Sequence, residues 1–198
     1  MSLTAGEKRL VRKLIAFNKN KGFWIHIRKG KEPTKREANK FFLSSILDYQ
    51  MKADFVWDNT QAFIESFLGD PEDLWNVIAA YSPEGWMQVA GENSLHRFPA
   101  AKQRVYRIAR QLVDEYAGDA RNIWKGATAQ EVSQHLKKLQ AGEQISRMIL
   151  GALYDCNLIT GALDVKADIH VSRVLGRLLS GQPFTPGQAV QESRRLHP

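Results

Sequence analysis

Apolar residues recur three and four positions apart along most of this chain, which is the spacing of one face of an α-helix. The clearest run follows Thr34 and contains Ala38, Phe41, Phe42, Ser45, Ile46 and Tyr49. Similar runs follow Pro99 and occupy 171–179. Strand-like alternation is limited to 23–27, and a single strand has no partner with which to pair. The pattern therefore predicts an all-α protein of about nine or ten helices.

Capping residues mark where these helices begin. A threonine precedes a glutamate by three residues at Thr4, Thr34 and Thr128, so that the hydroxyl and the carboxylate can each cap a backbone amide. Proline directly follows a capping residue at Asp70-Pro71 and Thr185-Pro186, which suits the first turn of a helix. These signals predict that a helix begins directly after each of the five capping positions.

The charge of the chain is uneven. Basic residues outnumber acidic ones by 28 to 21, and the net charge is +9 over 1–40, −8 over 41–96 and +6 over 97–198. If the two ends fold together, one side of the protein is strongly positive and suits a polyanion such as nucleic acid. A solvated basic surface is the other interpretation of the same charges.

Several classes of protein are excluded by what the sequence lacks. A single cysteine, Cys156, leaves no internal disulfide and no all-cysteine metal site. Motifs such as H-E-x-x-H and the Walker loop do not occur, so we predict no metal site. The longest apolar runs reach about seven residues, which is too short to span a membrane.

Two segments have patterns that suit binding and chemistry. Residues 136–150 predict a helix, a tight turn at Gly142 and a second helix, whose exposed amides can bind a phosphate. Residues 167–174 place Asp168 just before another helix. Each segment also has a purely structural interpretation, because glycine commonly ends a helix and aspartate commonly caps one.

Three segments, in order along the chain, resemble the helix-hairpin-helix DNA glycosylase superfamily (HhH-GPD), to which endonuclease III belongs. Residues 41–50, which end in Gln50, are similar to its L-S-x-Q element, and 100–120 are similar to its K-A-x-x-I helix and following loop. Residues 167–174 read A-D-I-H-V-S-R-V and resemble the family's V-D-x-H-x-x-R-V, which contains the essential aspartate. The resemblance extends over most of the chain, residues 36–180.

The resemblance implies a two-lobed helical fold. One domain would comprise 34–151 and end in the helix-hairpin-helix, and the other would comprise 1–33 together with 152–198. A DNA repair enzyme of this kind swings one damaged or mispaired base out of the duplex and hydrolyses its N-glycosidic bond.

The resemblance also assigns roles to individual residues. Asp168 matches the catalytic carboxylate, which would stabilise the positive charge that develops on the sugar. The residues that match DNA-binding positions are Gln50, Gly142, Gln144, His170 and Arg173. Three aromatic residues are candidates for stacking on the flipped base, or else belong to the core: Tyr49, Trp57 and Trp86.

The hairpin departs from the family pattern. When L-P-G-x-G-x-K-T-A is aligned on Gly142 it matches 138–146, which read K-L-Q-A-G-E-Q-I-S. The lysine that attacks the sugar in bifunctional members falls on Gln144, or on Ile145 if Leu139 is the anchor, and neither can form a Schiff base. We therefore expect a monofunctional glycosylase; the alternative is a non-catalytic relative that recognises distorted duplex.

The expected partner is double-stranded DNA, bound by a monomer without membrane association, in the cytoplasm at the nucleoid or in the nucleus. We expect no cofactor within these 198 residues. Many relatives hold an iron–sulfur cluster in a four-cysteine loop after the last helix, which here would require residues beyond Pro198. A helical interaction protein without a nucleic-acid role would require the basic ends to be coincidental.

Overall fold

Helices make up nearly all of the secondary structure in the computed structural model, which describes residues 4–18, 26–163 and 169–196. The helices within these ranges are α1 (Ala5–Asn18), α2 (Lys35–Leu47), α3 (Ala53–Phe63), α4 (Leu74–Ala80), α5 (Pro83–Glu92), α6 (Pro99–Tyr116), α7 (Ala129–Lys138), α8 (Glu143–Asp155), α9 (Ile169–Ser180) and α10 (Pro186–Leu196). A π-helical turn, Ile64–Leu68, continues α3, and a 3₁₀ turn, Ala120–Ile123, precedes α7. The described ranges contain isolated β-bridges and no strand, so the all-α prediction is confirmed.

Most of the predicted helix starts are confirmed. At Thr34 and Thr128 the hydroxyl accepts the N–H of the glutamate three residues later, and that glutamate accepts the N–H of the threonine. Thr4 forms the same reciprocal pair of hydrogen bonds ahead of α1. Helix α10 begins at Pro186, directly after Thr185.

The helix start predicted after Asp70 is wrong, because α4 begins only at Leu74. The Asp70 carboxylate accepts the N–H of Glu72 at 2.9 Å and closes a turn instead of a helix. The buried Asn39 amide also donates to the carbonyl of Pro71 at 3.0 Å, so that carbonyl is already engaged by another part of the chain. Of the strand-like stretch 23–27, residues 23–25 lie outside the described ranges, and the next two are not in a strand.

The chain divides into two compact units. Unit 1 comprises Met1–Trp24 with Ala162–Pro198, and unit 2 comprises Ile25–Gly161. The domains expected from the sequence, 34–151 and 1–33 with 152–198, stay a prediction. In the part of the chain that the structure describes, no helix is both long and apolar enough to cross a membrane.

The core of unit 2 is built around α2, in which residues 41–47 are all buried. Three tryptophans are fully buried in the same unit: Trp75, Trp86 and Trp124. Asn39 links the surrounding segments, since its Oδ1 accepts the Trp75 indole N–H at 2.9 Å and the Ala120 N–H at 3.0 Å. This buried amide therefore holds α4 and the 3₁₀ turn against α2.

Unit 1 has a smaller described core. Ala189 and Val190 on α10 are buried, and Leu175 and Phe184 pack against them. Gly176 allows segment 182–184 to cross directly over α9, because a Cβ atom at this position would lie 2.3 Å from the backbone nitrogen of Phe184. The described part of unit 1 thus includes a close approach of backbone to backbone at Gly176.

Candidate nucleic-acid interface

The residue expected to do the chemistry, Asp168, lies outside the described residues. Helix α9 begins at Ile169, directly after it, and presents His170 and Arg173 as exposed residues of its first turns. The roles of these three residues stay predictions.

The predicted hairpin is formed by α7, a turn over 139–142, and α8. Leu139 and Ala141 are buried, which fixes one side of the turn in the core of unit 2. Gln140 and Gly142 both have positive φ angles, 51° and 95° respectively. Gly142 is the N-cap of α8 and has no side chain with which to cap the first amides of that helix. Gln144 lies in the first turn of α8 and is half-buried.

One face of α6 holds the hairpin turn in place. Arg107 donates from Nη2 to the carbonyl of Gln140 at 3.0 Å, and Gln111, four residues later, donates to the carbonyl of Lys138 at 3.5 Å. Glu115, four residues later again, forms an ion pair with the Lys138 ammonium at 2.5 Å. That pairing raises the pKa of Lys138 and keeps its ammonium protonated, while the Glu115 carboxylate balances its positive charge. Sequence analysis missed this stripe, although its spacing of four residues is visible on an exposed helix face.

Gln50 lies on the turn after α2 and is exposed, with a left-handed φ of 52°. Such a conformation is uncommon for a residue with a side chain, although it is common just after a helix. The preceding residue, Tyr49, is half-buried, with the Arg104 guanidinium 5.1 Å from its ring centroid and the Phe98 ring 5.9 Å away. Arg104 also donates to the carbonyl of Ile46 near the end of α2, at 3.3 Å. Two neighbours therefore already pack against the Tyr49 ring.

Trp57 and Trp86, the other candidates for stacking on a base, are core residues. Trp86 is completely buried, and its indole N–H donates to the carbonyl of Lys102 at 2.9 Å. Trp57 is 7% exposed and packs against the rings of Phe41 and His26. A base would have to displace packed side chains to reach either ring, so we assign both to the core of unit 2.

An open cavity of about 360 Å³ lies between α3 and the turn that joins α5 to α6. Its lining consists of Met51, Phe55, Val56, Asn59, Gly91, Ser94, Leu95, His96, Arg97 and Lys102. Two of these residues are cations and none is an acid. No motif in the sequence indicates this cavity, because its lining comes from three separate segments.

His96 is one of the lining residues of the cavity and is 4% exposed. Its Nδ1 accepts the N–H of Phe98 at 3.1 Å. Burial lowers the pKa of the imidazole, which is therefore neutral at pH 7 and adds no charge to the cavity. Burial likewise lowers the pKa of His26 to about 4.

The described residues contain no group of three or more histidine, cysteine, aspartate or glutamate side chains that could hold a metal ion. Comparisons of the chain with family profiles, with curated proteins and with solved structures give no match. The function is therefore inferred from the residues of this chain.

Proposed function

We propose that this protein is a monofunctional DNA glycosylase of the helix-hairpin-helix superfamily, which hydrolyses the N-glycosidic bond of a flipped damaged or mispaired base. The observation that supports this most directly is the backbone of the hairpin turn. The family pattern L-P-G-x-G places its two glycines at Gln140 and Gly142, and both positions have positive φ. A left-handed residue commonly ends a helix, but two such residues, two positions apart, match the family spacing.

The hairpin has the features of a phosphate-binding site. Helix α8 begins at Glu143, where the positive end of the helix dipole and the first backbone amides favour an anion. Arg107 and Gln111 fix the carbonyls at the other side of the turn, so the amides do not need to be reorganised when a phosphate binds. Lys137 is exposed beside the turn and adds positive charge.

The chemistry follows from the segment that resembles the family's aspartate motif. Cleavage of an N-glycosidic bond develops positive charge on the sugar, and a fixed carboxylate nearby stabilises that charge and can activate water. Asp168 is the residue that matches this role. The family's lysine aligns with Gln144, or with Ile145 if Leu139 is the anchor, and neither residue can form a Schiff base, so the reaction ends at the abasic site.

A non-catalytic DNA-binding relative is the second candidate. The observation that favours it is the replacement of the first hairpin glycine by Gln140, a residue that is strained by a φ of 51°. The two candidates share DNA binding and differ in excision.

A panel of duplexes tests both candidates. Each duplex contains one deaminated, oxidised, alkylated or mispaired base, and strand cleavage is measured with and without alkali after incubation with the protein. We expect excision from at least one duplex, cleavage only after alkali, and no covalent adduct on borohydride treatment. Binding to lesion duplexes without excision would support the second candidate, and the absence of any binding to DNA would exclude both.

DNA affinity measured at several salt concentrations sharpens this test. Each neutralised phosphate contributes roughly −0.9 to the slope of log affinity against log salt. With net charges of +9 over 1–40 and +6 over 97–198, we expect a steep loss of affinity as salt rises. An affinity that does not change with salt would show that the protein does not bind DNA through its phosphates.

A further inference from the structure

We propose that the cavity between α3 and the turn 93–98 binds a phosphate monoester of a planar ring, with nucleoside monophosphates as the ligand class. Its volume, about 360 Å³, falls within the range of small-molecule sites, about 300–1,000 Å³. None of its lining residues belongs to the hairpin or to α9, so the proposal does not depend on glycosylase activity.

The charge of the lining selects an anion. Arg97 and Lys102 line the cavity without any acidic residue, and neither forms an ion pair with another described residue. The Lys102 ammonium lies 3.5 Å from the point where a Cβ atom of Gly91 would be, so the glycine leaves room for it beside the end of α5. A phosphate monoester has a charge of roughly −1.5 to −2 at pH 7. Two cations therefore balance the charge of a phosphate monoester more closely than the single negative charge of a carboxylate.

The apolar wall selects a ring. Phe55 is 58% exposed, and it lines the cavity together with Met51, Val56 and Leu95. A planar heteroaromatic group can stack on such a ring while its phosphate contacts the cations. The lining thus offers one apolar and one cationic part to a single ligand.

The walls are fixed before any ligand binds. Asn59 on α3 donates through its amide nitrogen to the carbonyls of Ser94 and Leu95, both at 2.9 Å, and so ties the turn to the opposite wall. Buried His96 holds the same turn through Phe98. A preformed site loses less conformational entropy on binding, which favours a small ligand.

Calorimetric titration of the full chain with deoxyadenosine 5′-monophosphate tests the proposal. We expect saturable binding at least about tenfold tighter than that of deoxyadenosine or of inorganic phosphate, since each of those contacts only one part of the lining. Lack of saturable binding, or phosphate binding as tightly as the nucleotide, would overturn it.

Two variants separate the two parts of the site. Lys102→Gln should weaken the nucleotide and inorganic phosphate alike by about tenfold, through loss of a charge-assisted contact. Phe55→Ser replaces an exposed ring and should weaken the nucleotide while phosphate binding stays unchanged. Lys125→Gln, at an exposed position away from the cavity lining, is the matched control. Equal affinities in all four proteins would place the ligand elsewhere and refute the proposal.

A competition experiment identifies the source of the nucleotide. If the site receives a nucleotide of a strand, deoxyadenosine 5′-monophosphate should displace a short single-stranded oligonucleotide from the wild-type protein. If it receives free nucleotide, the oligonucleotide should not compete. A failure of excision on the duplex panel would leave both results unchanged, so the two proposals can fail separately.

Discussion

Unit 2 and unit 1 are both helical, and their described residues differ in how much of the side-chain surface is buried. In unit 2, residues 41–47 of α2 and three tryptophans are buried, and Asn39 uses both ends of its amide inside the core. In the described residues of unit 1, the buried apolar side chains are Ala189 and Val190. Helix α9 even exposes Val174 and Leu178 to about half of their area, 51% and 47%.

The comparison shows that most of the described buried core lies in unit 2, whereas the residue proposed to be catalytic belongs to unit 1. The large core stabilises unit 2, which contains the hairpin and the cavity, because burial of apolar area supplies most of the folding free energy. In the described residues of unit 1, the unit that includes Asp168, we find the close contact at Gly176 and the ion pair between Arg195 and Glu7. Substitutions should therefore affect stability strongly in unit 2 at core positions, and in unit 1 at individual contacts.

The largest expected effect is on activity, from Asp168→Asn in unit 1. Asparagine and aspartate cap helices about equally well, so the free energy of unfolding should change little. Excision should fall by several orders of magnitude, because the charge partner of the developing positive sugar is lost. Single-turnover excision and thermal unfolding are measured on the same preparation. A well-folded variant with full activity would refute the proposed mechanism.

The next largest effect is on the stability of unit 2, from Asn39→Ala. The change leaves the buried N–H groups of Trp75 and Ala120 without their acceptor, and we expect a loss of about 3–5 kcal/mol in the free energy of unfolding. Asn93→Ala is the control, because the side chain of the exposed Asn93 donates to the carbonyl of Val89 within its own segment. Denaturant unfolding should find the control within about 0.5 kcal/mol of the wild type.

In unit 1 the corresponding test is Gly176→Ala. The added methyl group meets backbone atoms of 182–184, and we expect a loss of about 1–3 kcal/mol, confined to unit 1. Gly151→Ala in unit 2 is the matched change, since no atom lies within 4 Å of its Cβ position, and it should stabilise α8 by about 0.5–1 kcal/mol. Hydrogen exchange resolves both changes by region. Equal changes in the free energy of unfolding for the two substitutions would contradict this expectation.

The smallest effect is the acid sensitivity of the ion pair between Glu7 and Arg195. The hydrogen bond from Arg195, helped by the backbone of Thr4, lowers the pKa of Glu7 to about 2. A lowered pKa stabilises the folded state at pH values above the carboxyl's ordinary 4.5, and that stabilisation is lost as the pH falls towards 2. Urea unfolding of wild type and Glu7→Gln should therefore differ slightly at pH 6 and converge near pH 2. A constant difference would show that the contact does not depend on the charge.

The cases in which prediction from the sequence failed have a common cause. The start of α4 was misplaced because Asn39, thirty-two residues away in the chain, binds the carbonyl of Pro71. Trp86 could not be assigned to the core or the surface, because its burial depends on Phe63, Tyr81 and the carbonyl of Lys102. In the sequence, Arg107 is one of several cations on a helix, and its hydrogen bond to the carbonyl of Gln140 depends on the tertiary structure.

By itself, the sequence determined the helical class, the positions of the capping threonines and the uneven charge. The first two features depend on apolar periodicity and on hydrogen bonds between residues three apart in the chain, and the charge depends on composition alone, so each can be read from local sequence. The tertiary structure decided which aromatic rings are buried, that α6 holds the hairpin turn, and that α3 and the turn 93–98 line an open cavity. Those features require side chains from distant segments to meet, and the local sequence does not specify which distant segments are brought together.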